Sequence, residues 1–251
     1  MGWTVEIFKD FFDAGGGGDF IGRYLHILFG ITWIGLLYFF NVVQVPAYAQ
    51  MEPGARGEAL RKVTFRALWW FRYAALFTFL TGIWLLSVGD LWDWKGQEGL
   101  SISIGALLAT TMFLNVWGVI WRNQKVVIAN ARNVQAGGEA DPSAVAAGRK
   151  AGLASRQNTI YSFTMLLFMV GTAHFFGSSG FKQVPSGGER ATYWAIALII
   201  WLAFELNALG VIGGTGAGGT NWMYDHHKNA LITGGVLVVV YYLLFYLVLK
   251  S

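Results

Sequence analysis

The sequence contains no cysteine. That excludes disulfides, thiolate-bound metals and iron–sulfur clusters, and without a C-x-x-C-H motif there is no attachment point for covalent c-type haem. Charge is scarce too. Asp, Glu, Lys and Arg make up 13% of the residues, against about 25% in soluble domains. The net charge of +4 is dispersed along the chain and gives no basic footprint for nucleic acid. The opening stretch, MGWTVEIFKDFFDAGGGGDF, lacks a basic head and carries Glu6, Asp10, Asp13 and Asp19, so it does not read as a signal peptide. Residues 1–18 are expected to form an amphipathic segment lying at a membrane interface through Trp3, Ile7, Phe8, Phe11 and Phe12, ending in a glycine hinge. No stretch is long and polar enough for a soluble domain. The longest, Arg122 to Arg156, is expected to be a helical extension followed by the loop QAGGEADPSA.

What the sequence does have is apolar length. Hydrophobic residues make up 55% and aromatic residues 16%, with a mean hydropathy of +0.48. A hydrocarbon core about 30 Å thick needs about 20 apolar residues in a helix. Six runs meet that need, at 20–45, 67–89, 101–121, 158–178, 191–212 and 229–249. The expected fold is therefore an all-α integral membrane protein, a bundle of about six transmembrane helices forming one domain over 19–251 within a lipid bilayer. Gly30, Gly35, Gly234 and Gly235 offer small faces for close helix packing. Lys and Arg are split unequally between the two ends of the bundle. Twelve lie with the 1–2, 3–4 and 5–6 connections and six with the termini and the other loops. The positive-inside bias then places both termini outside, in the inner (cytoplasmic) membrane of a bacterium.

Ionisable and polar groups inside the spans favour function. His26 lies in the first span and His174 in the fourth. At 1.5 Å per residue, His26 is about 9 Å and His174 about 6 Å from the outer face. Two imidazoles at similar depth on different helices suit the axial positions of one b-type haem, although a lone histidine near a helix end also serves as a packing residue. In the haem reading, Trp33 contacts the macrocycle, Ile27, Gly30, Leu167 and Gly171 pack it, and Thr172 supports a histidine ring. Arg23 then pairs with a propionate. His226 and His227 are expected to cap the last span, with Asp225 at its start. A second polar group, Asn41, Gln44, Arg72, Asn115, Asn158, Glu205 and Asn207, gathers towards the opposite, basic end. Its readings are a structural network, a pocket for a quinone or substrate, and a proton path, with Arg72 expected to approach Glu205. The stretch GVIGGTGAGGTN (210–221) lacks the lysine of a P-loop and reads as a mobile loop.

Three stretches carry a family resemblance: HILFGITWIGLLYFFNVVQ (26–44), NVWGVIWRNQKVV (115–127) and SRQNTIYSFTMLLFMVGTAHF (155–175). WWFRYAALFTFLTGIWLL (69–86) adds a weaker match. Together they resemble the membrane domain of the cytochrome-c-linked urate hydroxylases, the urate oxidase N-terminal family. The resemblance implies a membrane oxidoreductase that passes electrons to a c-type cytochrome on the outer face, with His26 and His174 matching family histidines. Departures accompany it: there is no cytochrome motif, Met51 to Arg66 is short and free of histidine, and Gln157 stands where relatives often have histidine. Three readings follow. The chain is a haem b electron-transfer protein, a urate-oxidising enzyme with a separate cytochrome, or a haem-free accessory subunit of a respiratory or photosynthetic complex.

Overall fold

A computed structural model describes residues 16–89, 94–176 and 184–249. The expected interfacial segment lies almost wholly outside the described residues. The described chain is helical throughout, with no strand. Six helices are long and apolar enough to cross a membrane. They are α1 (Gly17–Gln50), α2 (Pro53–Val88), α3 (Gln97–Gln135), α4 (Ser143–Phe176), α5 (Gly187–Ala208) and α7 (His227–Leu249). A one-turn helix, α6 (Trp222–Asp225), precedes the last. The all-helical, multi-pass expectation stands.

α4 is the axle of the bundle. It packs against α3 on one side and α7 on another, with α5 and the inner part of α1 completing its surround. Its large apolar side chains are enclosed: Phe168 stacks on Phe176 at 5.2 Å and lies 5.7 Å from Phe245 of α7. α1 pairs chiefly with α2. The glycine expectation holds in part. A Cβ on Gly234 would come within 2.9 Å of Phe163, so that glycine lets α7 close onto α4, whereas Gly35 and Gly235 have nothing within 4 Å. Gly22, against Trp84 at 2.9 Å, does the same for α1 and α2. Ile31, Ile199 and Leu247 are each about two-thirds exposed to the apolar surroundings, as lipid-facing positions should be.

The helices overrun the apolar runs. α2 begins at Pro53, so only Met51 and Glu52 separate it from α1. The expected loop QAGGEADPSA (135–144) is where the structure has it, since α3 ends at Gln135 and α4 begins at Ser143; what the expectation left out is that the residues from Ser143 to Arg156 are a second helical arm. The physical reason is local propensity: AVAAGRKAGLAS is rich in Ala and straight-chain residues. Asp141 starts the second arm by accepting the Ser143 N–H at 2.8 Å, while its own N–H reaches Asn130 Oδ1 at 2.7 Å. α5 starts at a capping box, Ser186 with Glu189, and stops at Ala208, before Gly210 turns into the left-handed region at φ +77°. Asp225 does not start the last helix as expected. It ends α6, and α7 begins at His227.

Candidate functional site

Three of the long helices carry a π-helical turn in mid-course: Phe39–Gln44 in α1, Leu60–Thr64 in α2 and Asn115–Ile120 in α3. Such turns insert an extra residue, shift the faces that follow and recur at functional sites. The first has a visible cause. Pro46 has no N–H and crowds the carbonyl four residues back, and the widened turn just before it, Val45 N–H to Phe40 O, absorbs the clash.

All three turns border one cavity of about 120 Å³ at the basic end of the bundle. Phe40, Asn41 and Gln44 line it from α1, Thr64, Leu68 and Phe71 from α2, and Ile120 and Gln124 from α3. α4 contributes Gly148, Ala151, Gly152, Ser155 and Arg156. The Phe40 and Phe71 rings meet edge to face at 5.3 Å. Asn41 donates to Ser155 Oγ at 2.9 Å, and Thr64 donates to Gln44 Oε1 at 3.1 Å while paired with Tyr48 at 2.8 Å. Arg156 donates through Nη1 to the Tyr224 carbonyl, but its Nε is buried without a partner. Sequence reading found Asn41 and Gln44 but missed Gln124, Ser155 and Arg156. The available signal was the small-residue spacing Gly148, Gly152, Ser155, one turn apart on one face of α4.

A second cluster lies between α3, α4 and α5. Asn158 donates to Met112 O at 2.9 Å and accepts from Asn115 at 3.0 Å, and Asn115 also reaches Glu205 Oε2 at 3.3 Å. The structure thus brings together Asn115, Asn158 and Glu205. Arg72 does not join them. It lies with its guanidinium 3.5 Å from the Trp121 ring centroid, and among the described residues no carboxylate pairs with it. The expected approach of Arg72 to Glu205 is therefore corrected: Arg72 turns to the aromatic face of α3, and the amide of Asn115 meets the carboxylate instead. Since the two groups share no bond, the stability changes of Arg72→Leu and Glu205→Leu, whatever their sign, should add to within about 0.5 kcal/mol in the double variant, as read by thermal unfolding in detergent. A double variant milder than either single one would restore the ion pair.

The glycine-rich stretch is not a free loop. Arg149 of α4 donates to the carbonyls of Thr215 and Gly216 at 2.8 and 2.9 Å and to Asp225 Oδ1 at 2.7 Å. Asp225 Oδ2 takes the Gly218 N–H at 2.8 Å. Asn207 and Thr220 exchange two bonds, and Asn221 holds the carbonyls of Gly214 and Gly216. Burial pushes the Tyr224 hydroxyl well above its ordinary pKa, which keeps it a donor, and it reaches Gln157 Oε1 at 2.7 Å. Gly213, at φ +75°, is also packed against Thr220. The expected mobile loop is a tied cap held by Arg149, while Arg156, which borders the cavity, holds the Tyr224 carbonyl just beyond it.

The histidines have separate surroundings. His26 is half-buried between α1 and α2. Its Nδ1 is 3.1 Å from Thr81 Oγ1, and Cε1 would be 3.2 Å from a Cβ on Gly82. His174 stands exposed on the last turn of α4. Thr172 bonds Ser101 at 2.7 Å and the Phe168 carbonyl at 2.6 Å, not a histidine. Trp33 is fully buried with its indole N–H unpartnered. Arg23 pairs with Asp19 at 2.7 Å. His226 and His227 stand at the start of α7, and no group of three or more His, Cys, Asp or Glu able to hold a metal ion occurs among the described residues.

Fold and site together define a multi-pass helical membrane protein with a cavity of mixed apolar and polar lining between its helices at the basic end. Residues 94–201 match the family model described as urate oxidase N-terminal, and the resemblance to that family stands on this stretch. The match spans α3, α4 and most of α5. It includes Asn115, Arg156, Asn158 and His174 but not His26, Asn41, Arg72 or Glu205. Two of the four stretches that carried the resemblance, 115–127 and 155–175, fall inside it. No curated protein and no solved structure matches the chain.

Proposed function

We propose that this chain is the membrane-embedded part of a urate-hydroxylase-like oxidoreductase. The cavity among α1 to α4 binds its small planar substrate, and a c-type cytochrome is the acceptor of the electrons removed. The observation that carries the reading is the chemistry of that cavity. Aromatic walls at Phe40 and Phe71 suit a flat heterocycle. The amides of Asn41, Gln44 and Gln124 supply donors and acceptors, and the unpartnered Nε of Arg156 suits an anionic or carbonyl oxygen. The family match over α3 and α4 supports the same reading.

A b-type haem gripped by His26 and His174 is a separate part of the expectation. Such a group needs Ile27, Gly30 and Gly171 turned to one gap. Ile27 is instead 60% exposed, and the notch at Gly171 is filled by Phe176, whose Cε2 would be 2.6 Å from a Cβ there. The residues as packed do not fit one haem between the two rings, so no step is routed through it.

The test is urate binding to the purified chain in detergent, by calorimetry, with a visible spectrum of the same sample. Gln124→Ala and Arg156→Gln should each weaken urate roughly ten-fold, the loss of one charge-assisted or amide hydrogen bond. His26→Ala and His174→Ala should leave the affinity unchanged. Equal affinity in all four variants would remove the cavity from the reading. A reduced b-haem α-band lost in both histidine variants would bring the haem back.

A further inference from the structure

Arg72 is a buried cation that no carboxylate among the described residues neutralises. It is 7% exposed, and neither Nε nor Nη1 has a hydrogen-bond partner. Its guanidinium stacks on Trp121 at 3.5 Å, with Tyr73 and Trp117 at 5.6 and 5.7 Å. Stacking occupies the flat face of a guanidinium and leaves its N–H edge free to bind. Trp117 adds a third buried donor without a partner, its indole N–H. Three orphan donors and a full positive charge in one aromatic box, without a paired carboxylate, are costly unless a ligand brings an acceptor and a negative charge.

We infer that Arg72 and Trp117 form a binding site for a phosphate-type oxyanion between α2 and α3. A neutral carbonyl ligand would satisfy the donors but leave the charge. An oxyanion satisfies both, and Arg suits it because its fork of N–H groups matches two oxygens. The depth points to where the oxyanion comes from. Trp69 and Trp70, on the same helix, are 45% and 60% exposed, as in an interfacial aromatic belt. Trp69 packs on Tyr73 at 4.6 Å, and Tyr73 on Trp117 at 5.9 Å. Arg72 therefore lies just beneath headgroup level at the basic-rich end of the bundle. Lys125, whose ammonium is 5.9 Å from the Trp121 ring, adds charge at the rim. An acidic phospholipid headgroup reaches that level, and polybasic ends attract such lipids. This site is separate from the cavity of the proposed function and stands or falls without it.

The experiment is thermal unfolding and native mass spectrometry of the full chain in a neutral detergent. Dioleoylphosphatidylglycerol, dioleoylphosphatidylcholine and inorganic phosphate are added in turn. The expected result is a rise in Tm and one retained lipid with phosphatidylglycerol but not with phosphatidylcholine, with the affinity falling roughly ten-fold or more in Arg72→Gln. Trp117→Phe, which keeps the ring and removes only the N–H, should fold normally and lose part of the same effect. Lys125→Gln should retain most of it. Stabilisation by inorganic phosphate as strong as by the lipid would assign the site to a free oxyanion. The proposal is overturned if neither phosphatidylglycerol nor phosphate stabilises the protein. It is equally overturned if phosphatidylcholine matches phosphatidylglycerol, or if the effect is undiminished in Trp117→Phe and Arg72→Gln.

Discussion

Phe168→Ala is expected to cost about 3–5 kcal/mol, the range for removing a fully buried phenylalanine, and to lower the Tm by roughly 6–20 °C in a chain of this size. Phe168 is completely enclosed, with its ring against Phe176 and Phe245. Phe176 itself fills the notch at Gly171. The cavity left by the substitution cannot collapse easily, because its walls are three helices: α4 itself, α7 and, through the Ser101 to Thr172 bond, α3. Lipid cannot enter to refill it. Leu247→Ala is the control. That side chain is 66% exposed to the apolar surroundings and should change stability by no more than about 0.5 kcal/mol. Equal losses for the two variants would mean that α4 is not the axle of the bundle.

The second large effect is expected at the cap. Arg149→Ala removes three charge-assisted bonds at once, to Thr215, Gly216 and Asp225. The side chains of Arg149 and Asp225 are 26% and 17% exposed, so solvent screens the pair only partly, and a loss of about 2 kcal/mol is reasonable. The sharper signature is local. Limited proteolysis should cut within 209–221 in the variant and spare the intact protein, since the tied backbone no longer resists unfolding. The same latch predicts a pH dependence. Burial by itself would raise the Asp225 pKa. The Gly218 N–H and the Arg149 and Arg156 guanidinium groups outweigh it and hold the carboxyl below its ordinary value of 3.8. A carboxyl depressed by folding contributes stability that is present above that ordinary value and is lost as the pH falls through the lower, folded one. Proteolysis with an acid-active protease should therefore open the loop only in strong acid, and Asp225→Asn should abolish that dependence. A loop that opens equally at pH 3 and pH 6 in the intact chain would contradict the latch.

Much of the fold was legible in one dimension. Apolar length alone determines six spans, because a bilayer sets a fixed minimum for each helix, and local propensity explains why α4 runs back to Ser143. The polar cluster was also legible, since Asn115, Asn158 and Glu205 are conspicuous in apolar surroundings. What the sequence alone did not determine was partnership. Arg72 and Glu205 have opposite charges and lie towards the same end, yet the cation went to Trp121 and the carboxylate to Asn115. Depth along a helix says nothing of the direction a side chain faces around it, and direction decides contact. His26 and His174 illustrate the same limit: similar depth placed one ring between α1 and α2 and left the other exposed on α4. The cavity came from the tertiary structure for a further reason. It is bordered by π-helical turns, whose extra residue shifts every face beyond them and so defeats a count made at 3.6 residues per turn. The glycine loop was decided last of all, by Arg149, far from it in sequence, together with Asn207, Asn221 and Asp225 at its edges, because a backbone with few side chains of its own takes its order from the donors and acceptors brought to it.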